Sequence, residues 1–239
     1  MSMELANVNI GLLGCGTVGA SLCKLIDEQS EAIAERTGLT LNVVMVAVRD
    51  VSRSRDVPID PSLFTDDSNL VIESPDVDVV VEVMGGINPS KELILKALEL
   101  GKPVVTANKE LLATHGDELY SLAKQSEVDL LFEAAVAAAI PIIRPLRESL
   151  AGEPITRVMG IVNGTTNFIL TKMAEENMPY ADALDEAQKL GYAESDPTAD
   201  VEGHDAAAKA AIIASLAFGG QVTLGDVHVE GITKITPED

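Results

Sequence analysis

Apolar residues in the first 134 positions follow two alternating patterns. "VNIGLL", "LNVVMVAV", "DVDVVVEV", "PVVTA" and "VDLLFE" are short runs, several of them rich in β-branched residues and apolar almost throughout. Such runs suit strands buried on both faces of a parallel sheet. Between them the apolar positions recur at helical spacing. "TVGASLCKLIDEQSEAIAE" puts Val18, Leu22, Leu25 and Ile26 at that spacing, which predicts a helix directly after the first strand. A second helix is bounded by Ser90 as N-cap and Gly101 as a stop, with Leu93, Leu98 and Leu100 apolar. "GDELYSLAKQSE" supplies another. Strand, helix, strand is therefore the repeating unit, and it predicts an α/β fold: a doubly wound parallel sheet of Rossmann type with helices on both faces.

Beyond residue 134 the pattern is less regular. "FEAAVAAAIPIIRPLRESLAGEPITRVMGIVNGTTNFIL" reads as a small-residue segment, a helix through Leu150, a strand near "ITRVMGIV" and an "NGTTN" turn that opens another helix. "YADALDEAQKLG" is an amphipathic helix ending at Gly191, and "HDAAAKAAIIASLAF" is a further helix. The expected division is a dinucleotide-binding domain over 1–134 and a partial α+β substrate and catalytic domain over 135–239.

Charge narrows the function classes. A formal charge of -21 repels phosphate backbones and anionic lipid, which argues against nucleic-acid and membrane-surface roles. A phosphate-bearing ligand then needs locally aimed amides or arginines. No apolar run reaches the ~20 residues of a membrane span, and "MSMELANVNIGLLG" lacks a signal peptide's basic start and cleavage site. A cytoplasmic location is expected. Cys15 and Cys23 are expected to lie too far apart for a disulfide, which needs a Cα separation near ~5.5 Å, and to stay reduced.

"GCGTVG" gives the sheet a ligand. Gly14, Gly16 and Gly19 match G-x-G-x-x-G after the first strand and at the start of a helix. In that setting the glycines permit a tight turn, close approach to a pyrophosphate and close helix packing, and the amides at Thr17 and Val18 open the helix toward the phosphates. The second strand ends in "VAVRDVSRSRD". There an acid suits the ribose 2′-hydroxyl of NAD and an arginine suits the 2′-phosphate of NADP. Both Arg49 and Asp50 are present, with Arg53 and Arg55 following, and the cluster favours NADP with NAD as the alternative.

"GYAESDPTADVEGHDAAAK" crowds five carboxylates ahead of one lysine. An acidic loop is ordinarily a solvated helix cap. Asp205 and Lys209, however, are four apart on one helix, where a carboxylate can fix an ammonium. On spacing alone that pair could equally be a surface ion pair worth under ~1 kcal/mol.

Taken together, "GLLGCGTVG", "TANKELLA", "EAAVAAAIPIIRPLRESLAG", "GIVNGTTNFIL" and "GYAESDPTADVEGHDAAAKAAI" resemble the homoserine dehydrogenase family, in the family's order from about residue 8 to about residue 235. The glycine turn is widespread among enzymes; the last two segments are far more specific. The resemblance implies NAD(P)-dependent interconversion of aspartate 4-semialdehyde and L-homoserine, on the route to threonine, methionine and isoleucine. It implies Lys209 as general acid, Asp205 as its partner and a substrate contact, and Lys109 close to nicotinamide and substrate. Glu194 is implied as ligand of the substrate ammonium, Asp200 as substrate-facing, and Gly191 and Thr106 as cofactor neighbours. It also implies a sodium ion held by Glu133 and the carbonyls of Val136, Ala138 and Ile140, although the family's glycines are replaced by Ala137, Ala138 and Ala139. Full-length members are expected to form homodimers or larger assemblies and to continue for about a hundred residues. The 239-residue chain is therefore expected to turn over poorly while still binding dinucleotide. The alternative is a non-catalytic dinucleotide-binding fragment.

Overall fold

The computed structural model describes residues 5–239. The first four, part of the N-terminal stretch read above, lie outside the described residues. The chain divides after Ala135 into two compact units.

The first unit is built on a six-stranded parallel sheet: β1 (Ala6–Leu13), β2 (Leu39–Ala47), β3 (Phe64–Thr65), β4 (Val79–Glu82), β5 (Val104–Thr106) and β6 (Leu130–Leu131). Its strand order is β3-β2-β1-β4-β5-β6, which is the Rossmann order, with the crossover point beside β1. Five strands answer to the five apolar runs. The sixth, β3, has two residues and no run to announce it. The flanking helices are α1 (Thr17–Glu28), α2 (Ser30–Thr37), α3 (Ser68–Glu73), α4 (Ser90–Glu99) and α5 (Lys109–Gln125).

Two helical expectations need correction. The long helix after β1 breaks at Gln29 into α1 and α2, and the face of α1 that packs inward is Gly19, Cys23 and Ile26, while Val18 and Leu25 are more than half exposed. Ser90 is the first helical residue of α4 and not its cap. Its buried hydroxyl instead reaches Glu82 and the Gly85 carbonyl. Cys15 and Cys23 are free, as expected, and both belong to one core cluster with Ile10, Leu12, Ile26, Val46, Val48 and Val81. Burial first, then the neighbouring Cys15, pushes the Cys23 thiol up to about 11, which leaves it a protonated core residue and a poor nucleophile.

The second unit is helical. It comprises α6 (Gly164–Glu176), α7 (Tyr180–Lys189), α8 (Thr198–Val201) and α9 (His204–Phe218), and a core of Ile169, Met173, Ala183, Ala187, Ala193, Val201 and Ile232 joins α6, α7 and α8. The helix expected through Leu150 is a single wide turn, Pro145–Ser149. The strand expected near "ITRVMGIV" does not form: residues 154–163 carry no regular structure, and Met159 and Ile161 are about four-fifths exposed. An apolar, β-branched run becomes a strand only when another backbone accepts its hydrogen bonds, and none pairs with it among the described residues.

Candidate active site

At the carboxyl end of β1 the chain turns through Gly14 (φ +99°) into α1, with Gly16 as N-cap. Gly14 and Gly19 are required for different reasons. At Gly14, besides its positive φ, a Cβ would lie 2.9 Å from the Met84 side chain; at Gly19 it would lie 2.2 Å from the Gly14 carbonyl oxygen, so only glycine lets α1 pack this closely. Nothing lies within 4 Å of where a Gly16 Cβ would sit. That open space above a helix N-terminus, beside the exposed Thr17 and Val18, fits a pyrophosphate approaching backbone amides.

Arg49 and Asp50 follow β2. Asp50 Oδ1 accepts from the Ser52 amide at 2.9 Å and from its hydroxyl at 2.6 Å, and these bonds, the hydroxyl's foremost, hold the Asp50 carboxyl below its usual pKa. Arg55 is fastened to the carbonyls of Asp50 and Arg53 and lies over the Phe64 ring. Arg49 is exposed, with no side-chain partner among the described residues.

A buried carboxylate that the sequence reading passed over organises the next two loops. Glu82, at the end of β4, has no solvent exposure. Its Oε1 accepts from the amides of Met84 (2.8 Å) and Gly85 (3.1 Å) and from Ser90 Oγ (3.3 Å), and its Oε2 accepts from Thr106 Oγ1 at 2.7 Å. Thr106 in turn accepts from the Asn108 amide, and Asn108 Nδ2 donates to the Gly86 carbonyl at 2.7 Å. The β4–α4 and β5–α5 loops are thereby tied together at the carboxyl edge of the sheet, where ligands bind in open α/β folds. Thr106 is buried and its hydroxyl is engaged by protein, so any contact it makes with a cofactor has to come from its backbone. Asn108 caps α5 through the Leu111 amide, which places Lys109 at the first helical position, exposed. A charged group inside the apolar run "DVDVVVEV" was the one available sign of Glu82.

In the second unit Lys209 and Asp205 lie on α9. The Lys209 side chain is 15% exposed and that of Asp205 5%. Lys209 Nζ donates to Asp205 Oδ2 at 2.7 Å and to the Val162 carbonyl at 2.6 Å, so this is an oriented pair of a buried carboxylate and a partly buried ammonium, not a solvated one. Asn163, also unremarked in the sequence, is buried and donates from Nδ2 to Asp200 Oδ1 (2.7 Å) and Asp205 Oδ2 (2.9 Å). Three of the implied site residues, Asp200, Asp205 and Lys209, are thus joined in one network. Glu194 stands in the loop between α7 and α8, exposed and with no side-chain partner among the described residues. That loop is held by buried Ala193, by the Gln188 amide on the Glu194 carbonyl, and by stacking of Tyr192 on Phe168 at 4.5 Å. Gly191 turns the chain out of α7 with φ +79°. Asp196, for which the sequence suggested no role, accepts from the Thr198 amide and hydroxyl just ahead of α8.

The turn proposed for sodium contains Ala137 at φ +52°. Alanine therefore makes a left-handed turn that glycine would make without the cost of about 1–2 kcal/mol. Val136 is buried and Ile140 is 63% exposed.

The pattern of a glycine turn on a Rossmann sheet, followed by a helical unit with a paired lysine and buried aspartate, matches one family across nearly all of the chain. Residues 14–133 match the profile described as the NAD-binding domain of homoserine dehydrogenase, and residues 141–239 match the homoserine dehydrogenase profile. The chain belongs to the homoserine dehydrogenase family. It is 56% identical over 232 residues to the homoserine dehydrogenase of Mycobacterium tuberculosis, an alignment covering 97% of this chain and 52% of that one. Among solved structures it superposes on a homoserine dehydrogenase from Thiobacillus denitrificans with a TM-score of 0.90 and 42% identity, covering 99% of this chain and 55% of that one. It also superposes on a hyperthermophilic archaeal homoserine dehydrogenase in complex with NADPH, with a TM-score of 0.80 and 33% identity, covering 96% and 75%. The chain spans about half the length of the curated relatives it matches. No helix among the described residues is long and apolar enough to cross a membrane.

Proposed function

We propose that the chain carries the hydride-transfer site of a homoserine dehydrogenase and converts aspartate 4-semialdehyde to L-homoserine. The observation that carries this reading is the partly buried Lys209 ammonium, held by Asp205 and the Val162 carbonyl. A lysine has three donor protons; two are committed here, and the third is available to the carbonyl oxygen of an aldehyde. When bound, the nicotinamide supplies hydride to the aldehyde carbon. Lys209 gives a proton to the oxygen that gains charge, Asp205 keeps the ammonium in place, and the shielded setting strengthens both contacts. Asp200 faces the same network. Exposed Glu194 takes the substrate's own ammonium group, and Lys109, on the cofactor-binding unit, serves nicotinamide and substrate.

Glu194→Gln is then expected to raise the Michaelis constant for homoserine by roughly one to two orders of magnitude and to leave that for NADP nearly unchanged. A charge-assisted contact is worth ~1.5–3 kcal/mol. Steady-state kinetics with each substrate varied in turn makes the comparison; equal constants for homoserine would return Glu194 to the solvated loop.

The preferred dinucleotide in this proposal is NADP. Arg49 is exposed and uncommitted, whereas one oxygen of Asp50 is engaged by Ser52. Arg49→Ala should weaken NADP binding about tenfold, the lower end for a charged hydrogen bond at an exposed site, while NAD binding changes little. Fluorescence titration of both cofactors decides this, and equal losses would show that Arg49 does not read the 2′-phosphate. The sodium ion on Glu133 and the carbonyls of Val136, Ala138 and Ile140 belongs to the proposal as well; oxygen donors suit a hard cation, and alanine already holds the left-handed turn.

A second reading has its own support. The exposed apolar segment around Met159 and Ile161 lies directly before Val162 and Asn163, so a chain whose substrate unit is imperfectly closed could bind dinucleotide without turning substrate over. In that case NADPH binds while no homoserine is formed.

A further inference from the structure

The Asn163 side chain makes four hydrogen bonds, and capping accounts for only half of them. Its Oδ1 accepts from the Thr166 amide at 2.8 Å and from the Thr166 hydroxyl at 2.9 Å, closing the first turn of α6. A serine, threonine or aspartate would serve that purpose about as well. The amide end does something a cap does not need. It donates to Asp200, on α8, and to Asp205, on α9, so one side chain knits three helices together. The reverse orientation of the carboxamide would turn its oxygen toward two carboxylates, and the network itself therefore fixes which end faces them.

Two carboxylates sharing one nitrogen lie within a few ångströms of each other and repel. Asn163 sets donors between them without adding charge. Its neighbour in sequence, Val162, supplies the carbonyl that receives Lys209. Consecutive residues thus hold both members of the ion pair: Val162 holds the ammonium and Asn163 the carboxylate.

We propose that Asn163 is a positioning residue, whose carboxamide fixes Asp200 and Asp205 so that Asp205 and the Val162 carbonyl aim one proton of the Lys209 ammonium at the substrate oxygen. The proposal rests on the reading of Lys209 as proton donor. Small displacements of an aimed group cost large factors in rate, so the amide matters for turnover even though it touches no reacting atom.

Asn163→Ser separates the two roles, because it keeps a capping oxygen and removes both amide donors. In protein labelled with ¹⁵N at lysine Nζ, the Lys209 signal is assigned by its loss in Lys209→Arg. Its ammonium protons are expected to exchange with solvent at least tenfold faster in Asn163→Ser than in the unaltered chain. Asp67→Ala, which removes the cap of α3 in the other unit, is the control for general loosening and should leave that rate unchanged. A rate in Asn163→Ser within twofold of the unaltered chain would reduce Asn163 to a cap. If the serine variant does not fold, the unaltered chain still answers. The Asn163 Nδ2 protons, bound to two buried carboxylates, are expected to exchange at least tenfold more slowly than an exposed asparagine amide, and exchange at the exposed rate overturns the clamp. In the NADPH-dependent reduction, Asn163→Ser should lower kcat at least tenfold with KM for NADPH within twofold; an unchanged kcat also overturns the proposal. Normal turnover by Lys209→Ala would instead remove the proton-donor reading, and the exchange measurements would still report on the clamp separately.

Discussion

Lys209→Ala is expected to lower turnover by about 10² to 10⁴, the range for a positioned acid or base, while dinucleotide affinity stays close to that of the unaltered protein. The two effects separate because the ammonium, its partners Asp205 and Val162, and Asn163, which donates to Asp205, all belong to the second unit, whereas the glycine turn at Gly14, Gly16 and Gly19 belongs to the first. Alanine leaves Asp205 buried beside Asp200 with one donor fewer, so some loss of stability accompanies the loss of rate. Thermal unfolding measured alongside kinetics distinguishes them: a variant that keeps its melting temperature to within a few degrees and loses turnover a hundredfold has lost chemistry. Turnover within threefold of the unaltered protein would take Lys209 out of the mechanism.

Glu82→Ala is expected to produce the largest stability loss. Removing this carboxylate strands two backbone amides and two hydroxyls that now converge on it, from Met84, Gly85, Ser90 and Thr106, and it opens a cavity where the side chain had no exposure. Each buried donor left unpaired costs ~1–3 kcal/mol, and such losses overlap, so ~3–5 kcal/mol is the expected total. For a unit of this size that lowers the melting temperature by about 10 °C or more. Dinucleotide binding should weaken in parallel, since the same carboxylate ties together two loops at the ligand-binding edge of the sheet. Calorimetry with and without NADPH tests both statements. A loss below ~1 kcal/mol would mean that water takes the place of the carboxylate and that Glu82 is not the tie between the loops.

These two residues mark the boundary of what the sequence made legible. The parallel sheet could be read from it because strands buried on both faces must be apolar throughout, and "LNVVMVAV" and "DVDVVVEV" leave little else to be. The meeting of Asp205 with Lys209 was legible for a similar reason, since a helix brings residues four apart onto one face. Glu82 was hidden by its own strand: a single acid at the end of an apolar run looks like the edge of the element until the donors from Ser90 and Thr106, distant in sequence, are seen to converge on it. Asn163 was hidden in the "NGTTN" turn, since Asp200 and Asp205, the carboxylates its amide reaches, are distant in sequence. The break at Gln29 carried no glycine or proline to announce it. "ITRVMGIV" had the composition of a strand, but pairing is a property of two segments, and composition reports only one.

The most direct test of the account follows the transferred hydrogen itself. NADPH carrying deuterium at the reactive nicotinamide carbon is incubated with aspartate 4-semialdehyde and the chain, and homoserine is analysed by mass spectrometry, which detects turnover too slow for an absorbance assay. The account predicts homoserine one mass unit heavier, labelled at the former aldehyde carbon, formed by the unaltered chain and reduced at least a hundredfold with Lys209→Ala. Binding of NADPH with no labelled homoserine, or equal labelling by both proteins, would contradict it.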